Sequence, residues 1–146
     1  MGASVSGGRW WTLSRNNLVS TSVTYHDGIA VLAIGGEIDL ASIPAVDRAI
    51  AEVLAEEPPA LIVDLLGVQF IGSVGISALV TAALEFGDDR CFSVVAQGPM
   101  TSRIIQRLDL DDLLSLKGTV EEAIGWAKDA KPPIAAPDPI PREPTG

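Results

Sequence analysis

Cysteine and histidine are almost absent from this sequence. Among its 146 residues, Cys91 is the single cysteine and His26 the single histidine. One cysteine cannot form an internal disulfide framework, and a solitary thiol is compatible with a reducing cytosol. Metal sites built on cysteine or histidine, and catalytic triads that need a histidine, are therefore disfavoured. We expect no metal site, no cofactor and no catalytic residue in this chain.

Basic residues are also scarce. Lysine and arginine total 10 against 19 aspartates and glutamates, so the formal net charge is −9. Such a charge opposes binding to phosphate backbones and to anionic lipid, because both repel an acidic surface. The first 14 residues lack the basic head and apolar core of a signal peptide. These absences predict a cytoplasmic protein with no direct nucleic-acid partner.

An uncharged stretch at residues 65–84 is about long enough to span a bilayer. It is interrupted by glycines and hydroxyl residues, and its flanks are Asp64 and Glu85. The basic flanking residues and aromatic anchors of a membrane span are missing. A buried strand, a turn and a buried helix explain the same residues, so we predict no direct membrane insertion.

The composition is typical of one globular domain, with 47% hydrophobic and 20% charged residues. Residues 1–18 are rich in glycine, serine and asparagine, include Trp10 and Trp11, and are predicted to form a flexible arm. Residues 131–146 hold six prolines, which prevent helices and strand ladders, so a disordered tail is predicted there. The folded domain is expected over residues 19–130.

Strand and helix patterns alternate within this domain. Residues 19–25 and 28–36 predict an antiparallel hairpin around a His-Asp-Gly turn. Ser42 is predicted to cap a helix that has Pro44 in its first turn and ends at Pro58. The predicted order then continues with strand 60–65, loop 66–72, helix 73–86, strand 91–96, helix 101–108, strand 113–116 and a helix from Thr119. An opening hairpin followed by this alternation predicts a mixed sheet of the α/β class.

A motif at residues 70–76, Phe-Ile-Gly-Ser-Val-Gly-Ile, leads the chain into a helix at Ser73. It does not match a hydrolase nucleophile elbow, which needs Gly-x-Ser-x-Gly and a late histidine, and it lacks the Gly-Lys-Ser/Thr of a Walker A loop. We predict Ser73 to be an N-cap whose hydroxyl lies among free N–H groups at the positive end of the helix. A phosphate on Ser73 would be stabilised there, although a simple helix cap explains the same residues.

Three motifs together resemble the STAS domain of bacterial anti-anti-sigma factors. They are Gly36-Glu37-Ile38-Asp39, then Leu61-Ile62-Val63-Asp64-Leu65, and then Val68-x-Phe70-Ile71-Gly72-Ser73-Val74-Gly75. The likeness covers about residues 19–130, and the combination of motifs in this order is fairly specific. It implies a STAS-like fold of the α/β class, in which a mixed sheet carries its helices mainly on one face.

The resemblance implies a binding switch and not an enzyme. A protein of this family binds an anti-sigma factor with a histidine-kinase-like ATPase fold and so frees a sigma factor. The same partner uses ATP to phosphorylate a serine, which ends the interaction, and a phosphatase resets it. The serine that matches the phosphoacceptor is Ser73. The residues expected to contact the partner are Glu37, Asp39, Gly72, Ser73, Val74, Gly75 and Ser77.

Gly72 departs from the family pattern, which has an aspartate directly before the phosphorylated serine. The glycine removes a carboxylate from the site and gives the backbone access to positive φ. Its presence is compatible with slow or absent phosphotransfer, or with recognition by a different kinase. The alternative function is therefore an unphosphorylated STAS scaffold, in a signalling assembly or in a membrane transporter. A third hypothesis is an enzyme or nucleotide sensor that uses the loop amides.

Overall fold

The computed structural model describes residues 9–13, 18–87 and 90–130 of the chain. Its strands are β1 Arg9–Leu13, β2 Leu18–His26, β3 Ile29–Ile38, β4 Ala60–Ile71, β5 Cys91–Val95 and β6 Leu116–Lys117. Its helices are α1 Ile43–Ala55, α2 Ser73–Phe86, α3 Ser102–Arg107 and α4 Val120–Ala130. The strands form one six-stranded sheet in the order β1-β2-β3-β4-β5-β6. Strands β1 to β3 are antiparallel neighbours, and β3 to β6 run parallel.

A two-residue turn joins β2 to β3. Asp27 and Gly28 both have positive φ, 56° and 85°, as a type I′ hairpin turn requires. His26 pairs with Ile29 directly across the turn. The predicted hairpin is therefore confirmed.

Both faces of the central strand β4 are buried over its first half. Leu61 and Val63 belong to the larger apolar cluster, which also contains the buried residues of α1, α2 and α3. Ala60 and Ile62 belong to a second cluster, which is covered by α4. A near-continuous apolar run is what a parallel strand with helices on both faces requires. Three of the four described helices lie on one face, which confirms the predicted architecture.

The second half of β4 replaces the loop that the sequence predicts over residues 66–72. Residues up to Ile71 pair with β3, with register shifts between Ala33 and Gly35 and between Gly36 and Glu37. Each shift places one extra residue on β4, as a β-bulge does. The buried residues of this half, Leu65, Val68 and Ile71, therefore recur at every third position and not at every second one. The loop prediction is wrong because this alternation is the signal by which a strand is recognised. Strand β5 pairs only with residues 60–64, so within the described chain the bulged half has a strand neighbour on one side.

The uncharged stretch at residues 65–84 does not form one helix. Its first part belongs to β4 and its last part to α2, with Gly72 between them. None of the described helices is long and apolar enough to cross a membrane. The interpretation of this stretch as a strand followed by a helix is confirmed, whereas the turn predicted between them is replaced by the second half of β4.

Part of the predicted N-terminal arm has regular structure. Arg9–Leu13 form β1, which pairs with β2 from Arg9 opposite Ser22 to Leu13 opposite Leu18. The predicted arm does not include this strand, because the segment is short and shows no sustained periodicity, although its partner β2 follows directly along the chain. The other arm residues, 1–8 and 14–17, and the predicted tail at residues 131–146 lie outside the described residues. The domain boundaries stay a prediction.

Helix ends follow local signals more closely than the last strand does. Pro44 lies in the first turn of α1, and Gly87 follows the end of α2. At the start of α4 the Glu122 N–H donates to the Thr119 Oγ1 at 3.0 Å, as predicted for a capping residue. Strand β6 begins only at Leu116, since Ser115 has a φ of 48° that no strand residue adopts.

The packing of α2 predicts a large difference between two of its leucines. Leu79 is 2% exposed and Leu84 is 66% exposed. We expect Leu79→Ala to lower the free energy of unfolding by about 2–5 kcal/mol, because the lost side chain leaves a cavity. Leu84→Ala, the control on the same helix, changes it by less than about 0.5 kcal/mol. Urea unfolding measures both, and equal losses would contradict the described orientation of α2.

Candidate functional site

The carboxyl ends of β3 and β4 bring two predicted site segments together. Ile38 pairs with Ile71, and the Gly72 N–H donates a hydrogen bond to the Ile38 carbonyl oxygen at 2.8 Å. Asp39 follows the first strand and Ser73 follows this hydrogen bond, so both segments leave the sheet side by side. Glu37 lies beside them on β3, exposed and paired in register with Phe70. The structure thus assembles Glu37, Asp39, Gly72 and Ser73 at one edge of the sheet.

The N-cap of α2 lies one residue earlier than the sequence predicts, although the helix itself spans the predicted residues 73–86. Gly72 occupies the N-cap, and Ser73 is the first helical residue. The prediction of Ser73 as N-cap is wrong because Gly72 is still in an extended conformation, with φ −86° and ψ 179°, after its bond to Ile38. The Gly72 carbonyl accepts the N–H groups of Gly75 and Ile76, at 3.0 and 3.1 Å. The amides of the first two helical residues have no acceptor within the helix.

The Ser73 side chain is exposed at this helix start. Within the part of the chain that the structure describes, its hydroxyl makes no hydrogen bond. An anion attached to Ser73 would lie beside the free amides and the positive end of the helix dipole. The geometry therefore leaves this hydroxyl accessible for modification.

Gly72 is not required by the backbone conformation. Its φ of −86° is open to any residue, so the access to positive φ that glycine provides is not used at this position. A Cβ on Gly72 would have only ordinary contacts, 3.5 Å from the Ile38 oxygen and 3.5 Å from the Phe70 ring. The site therefore has room for a side chain before Ser73, although this chain has none.

Gly75, by contrast, has no space for a side chain. A Cβ there would lie 2.6 Å from the Ile71 Cγ1 and 2.7 Å from the Ile38 Cγ2. The missing side chain allows the first turn of α2 to rest on the ends of β3 and β4. Gly75 is buried, so it supports the site from beneath and does not belong to its surface.

The loop that follows β3 is held by hydrogen bonds from Asp39 and Ser42. The Asp39 Oδ1 accepts the N–H groups of Ala41 and Ser42, at 3.0 and 3.1 Å. The Ser42 Oγ accepts the Asp39 N–H at 3.1 Å and donates to the Glu37 carbonyl oxygen at 2.6 Å. Ser42 occupies the predicted N-cap of α1, but its hydroxyl binds back to the strand instead of capping the helix. The loop is therefore fixed at both ends.

An open groove of about 500 Å³ runs between α1 and α2. Ser73, Val74 and Ser77 line it on the α2 side, and Thr81 continues the row. Acidic residues from both helices also line it: Asp47 from α1 and Glu85 from α2. Three of the predicted contact residues thus share one surface. Among the described residues, no group of three or more histidine, cysteine, aspartate or glutamate side chains is placed to hold a metal ion.

Two exposed apolar side chains at the site were missed by the sequence analysis. Leu40, in the loop after Asp39, is 78% exposed, and Phe70, before Gly72, is 38% exposed. The only available signal is a leucine placed in a strand-to-helix connection, where polar residues are usual. Exposure itself is a property of the folded chain and is not visible in the pattern.

Comparison with known proteins identifies the fold family. The STAS domain model matches residues 20–123. The anti-sigma-F factor antagonist RsfB of Mycobacterium tuberculosis, found in two strains, is 41% identical over 112 residues, which cover 77% of this chain and 92% of the relative. The chain therefore belongs to the STAS domain family, among proteins named as anti-sigma factor antagonists. The resemblance inferred from the motifs is confirmed.

Solved structures agree with this assignment. The crystal structure of an anti-sigma factor antagonist from Mycobacterium paratuberculosis is 40% identical, with a TM-score of 0.76, and the match covers 80% of this chain and 100% of that one. The structure of the anti-sigma factor antagonist SpoIIAA in its unphosphorylated form has a TM-score of 0.63 at 16% identity, covering 75% of this chain and 96% of that one. The second likeness concerns the fold alone.

The crowding at Gly75 predicts opposite effects of alanine at two glycines. We expect Gly75→Ala to lower the free energy of unfolding by about 1–3 kcal/mol, since Ile38 or Ile71 must move. Gly125 in α4 has nothing within 4 Å of a built Cβ. Gly125→Ala is the matched control and raises the free energy of unfolding by about 0.5–1 kcal/mol, because alanine favours the helix. Denaturant unfolding measures the free energy of unfolding of both variants. An unchanged value for Gly75→Ala would contradict the predicted steric conflict with Ile38 and Ile71.

The free space at Gly72 predicts that the aspartate of the family pattern fits here. Gly72→Asp leaves the fold unchanged and raises the free energy of unfolding by a few tenths of a kcal/mol, because aspartate is a better N-cap than glycine. Urea unfolding and circular dichroism check both points. Loss of stability in this variant would show that a carboxylate is excluded from the site.

Proposed function

We propose that this protein is an anti-sigma factor antagonist, which binds an anti-sigma factor and so releases a sigma factor. The observation that carries the proposal is the 41% identity to RsfB over 92% of that protein, combined with the exposed Ser73 at the junction of β4 and α2. The protein acts by binding and not by catalysis. A cytoplasmic location follows from this role.

The partner binds at the edge where β3 and β4 end. The contact surface consists of Glu37, the Asp39 loop, and the side of α2 that carries Ser73, Val74 and Ser77. The shared groove and the backbone hydrogen bond between Gly72 and Ile38 support this assignment. The partner that the family resemblance implies is an anti-sigma factor with a histidine-kinase-like ATPase fold.

Phosphorylation of Ser73 switches the interaction off. The Ser73 Oγ attacks the γ-phosphorus of ATP held by the partner, the bond from phosphorus to ADP breaks, and the hydroxyl proton passes to a base of the partner. The new group adds about −1.5 to −2 charges at the centre of the contact surface. The free amides at the start of α2 stabilise that charge in the separated protein. A phosphatase restores the hydroxyl.

One observation favours a second function. Gly72 leaves Ser73 without the adjoining carboxylate of the family pattern, although the site has room for it. In this second function the domain binds its partners as a STAS scaffold, in a signalling assembly or a transporter, and no phosphate is transferred. The two functions differ in whether Ser73 is modified.

Phosphate transfer tests the proposal. The protein is incubated with ATP and the purified anti-sigma-F factor of Mycobacterium tuberculosis, and its intact mass is measured. We expect the wild type to gain one phosphate, Ser73→Ala to gain none, and Ser102→Ala to behave as the wild type. Ser102 is the matched control because it is also the first residue of a helix, α3, and lies outside the proposed contact surface.

Binding is measured with the same anti-sigma factor by calorimetry. We expect Ser73→Glu to weaken binding more than about tenfold, because its charge must be desolvated in the contact. Binding without phosphate transfer would replace the switch by the second function. Absence of binding to the wild type would overturn the proposed function itself.

A further inference from the structure

Leu40 is the most exposed of the large apolar side chains in the described chain, at 78%. A single exposed leucine is common on protein surfaces and needs no explanation by itself. Its position is unusual, since it lies directly after Asp39 and two residues beyond the Ile38 carbonyl that binds Gly72. Leu40 therefore projects from the same edge as Ser73.

The backbone on both sides of Leu40 is fixed. Asp39 before it accepts two hydrogen bonds from Ala41 and Ser42 through its Oδ1 atom. Ser42, which is only 2% exposed, is bonded in turn to the Asp39 N–H and to the Glu37 carbonyl. The loop is ordered in the free protein, so binding through Leu40 costs little further conformational entropy.

A second apolar side chain extends this surface. Phe70 is 38% exposed, and its ring lies within 3.5 Å of the position that a Cβ on Gly72 would take. Leu40 follows Ile38 by two residues and Phe70 precedes Gly72 by two, so both lie close in the chain to the Ile38–Gly72 hydrogen bond on an otherwise acidic protein. Rigid apolar side chains near the centre of a contact are typical of residues that dominate binding energy.

From these contacts we propose that Leu40 is the apolar anchor of the partner interface, and that Asp39 is a positioning residue. The Asp39 carboxylate holds the Leu40 loop through its hydrogen bonds to Ala41 and Ser42. Its negative charge does not itself contribute to binding of the partner. This inference rests on the proposed function, because the partner is the anti-sigma factor, which supplies an apolar pocket for Leu40. A phosphate on Ser73 then ends binding because it places a charge beside an apolar contact that excludes water.

The anchor is tested by the same substitution at two exposed leucines. Leu40→Ser is compared with Leu108→Ser, since Leu108 is 53% exposed and follows the end of α3. Binding to the purified Mycobacterium tuberculosis anti-sigma-F factor is measured by calorimetry. We expect Leu40→Ser to raise Kd more than about thirtyfold, as for a dominant contact residue, and Leu108→Ser to change it less than about threefold. Equal Kd values for wild type and Leu40→Ser would overturn the anchor.

The role of Asp39 is tested by two substitutions that separate charge from hydrogen bonding. Asp39→Asn removes the charge but keeps an Oδ1 acceptor for Ala41 and Ser42, whereas Asp39→Ala removes both. We expect Asp39→Asn to bind within about threefold of the wild type and Asp39→Ala to bind more than about tenfold weaker. Hydrogen exchange at the Ala41 and Ser42 amides is expected to accelerate in Asp39→Ala alone.

The outcomes separate the two proposals. If Asp39→Asn binds as weakly as Asp39→Ala while the Ala41 and Ser42 amides stay protected from exchange, the partner recognises the Asp39 charge directly. The positioning role is then wrong. If the wild type fails to bind the anti-sigma-F factor, the proposed function fails. If the wild type binds and both Leu40→Ser and Asp39→Ala bind equally well, only the inference about the loop fails.

Discussion

The pairing of β3 with the bulged half of β4 is the constraint on which the site depends. It continues to Ile38 and Ile71, and the 2.8 Å hydrogen bond from Gly72 extends it by one residue. Because parallel neighbours end at the same edge, the Asp39 loop and the start of α2 are held at a fixed separation. Gly75 completes the arrangement, since its missing side chain lets α2 rest on both isoleucines. The backbone frame thus positions Ser73, whose own side chain contributes nothing to it.

Polar groups at the site divide into two kinds. Asp39 and Ser42 direct their oxygens to the amides and carbonyls of their own loop, and Ser42 is buried. Ser73, Leu40 and Phe70 are exposed and add little to the folded state. Residues that build the surface are therefore distinct from those that the proposed interface presents to a partner. These exposed residues can be substituted without a large change in stability.

Local signals in the sequence predicted most of the fold. The β2–β3 hairpin follows from a turn in which Asp27 and Gly28 take positive φ, and the end of α2 follows from Gly87. Strand β1 and the second half of β4 were missed, because the first is short and lacks sustained periodicity and the second loses its alternation at the bulges. Such pairings are decided by the tertiary structure.

The candidate site was predicted only in outline. The resemblance to STAS domains placed Glu37, Asp39, Gly72 and Ser73 in one region, and the ends of two parallel strands bring them there. The N-cap of α2 was placed one residue too late, because the bond from Gly72 to Ile38, a long-range contact, decides it. Leu40 was missed since its exposure exists only in the folded chain.

The bulges in β4 have a further consequence at the side of the strand that faces away from β3. Over the described residues, no strand pairs with that side beyond residue 64, and both Leu66 and Phe70 are exposed along it. A straight, apolar strand with an open edge is a template for edge-to-edge association between molecules. Bulges interrupt the regular spacing of N–H and C=O groups that such association needs. The same irregularity that obscures the second half of β4 in the sequence therefore also opposes edge-to-edge pairing between folded molecules.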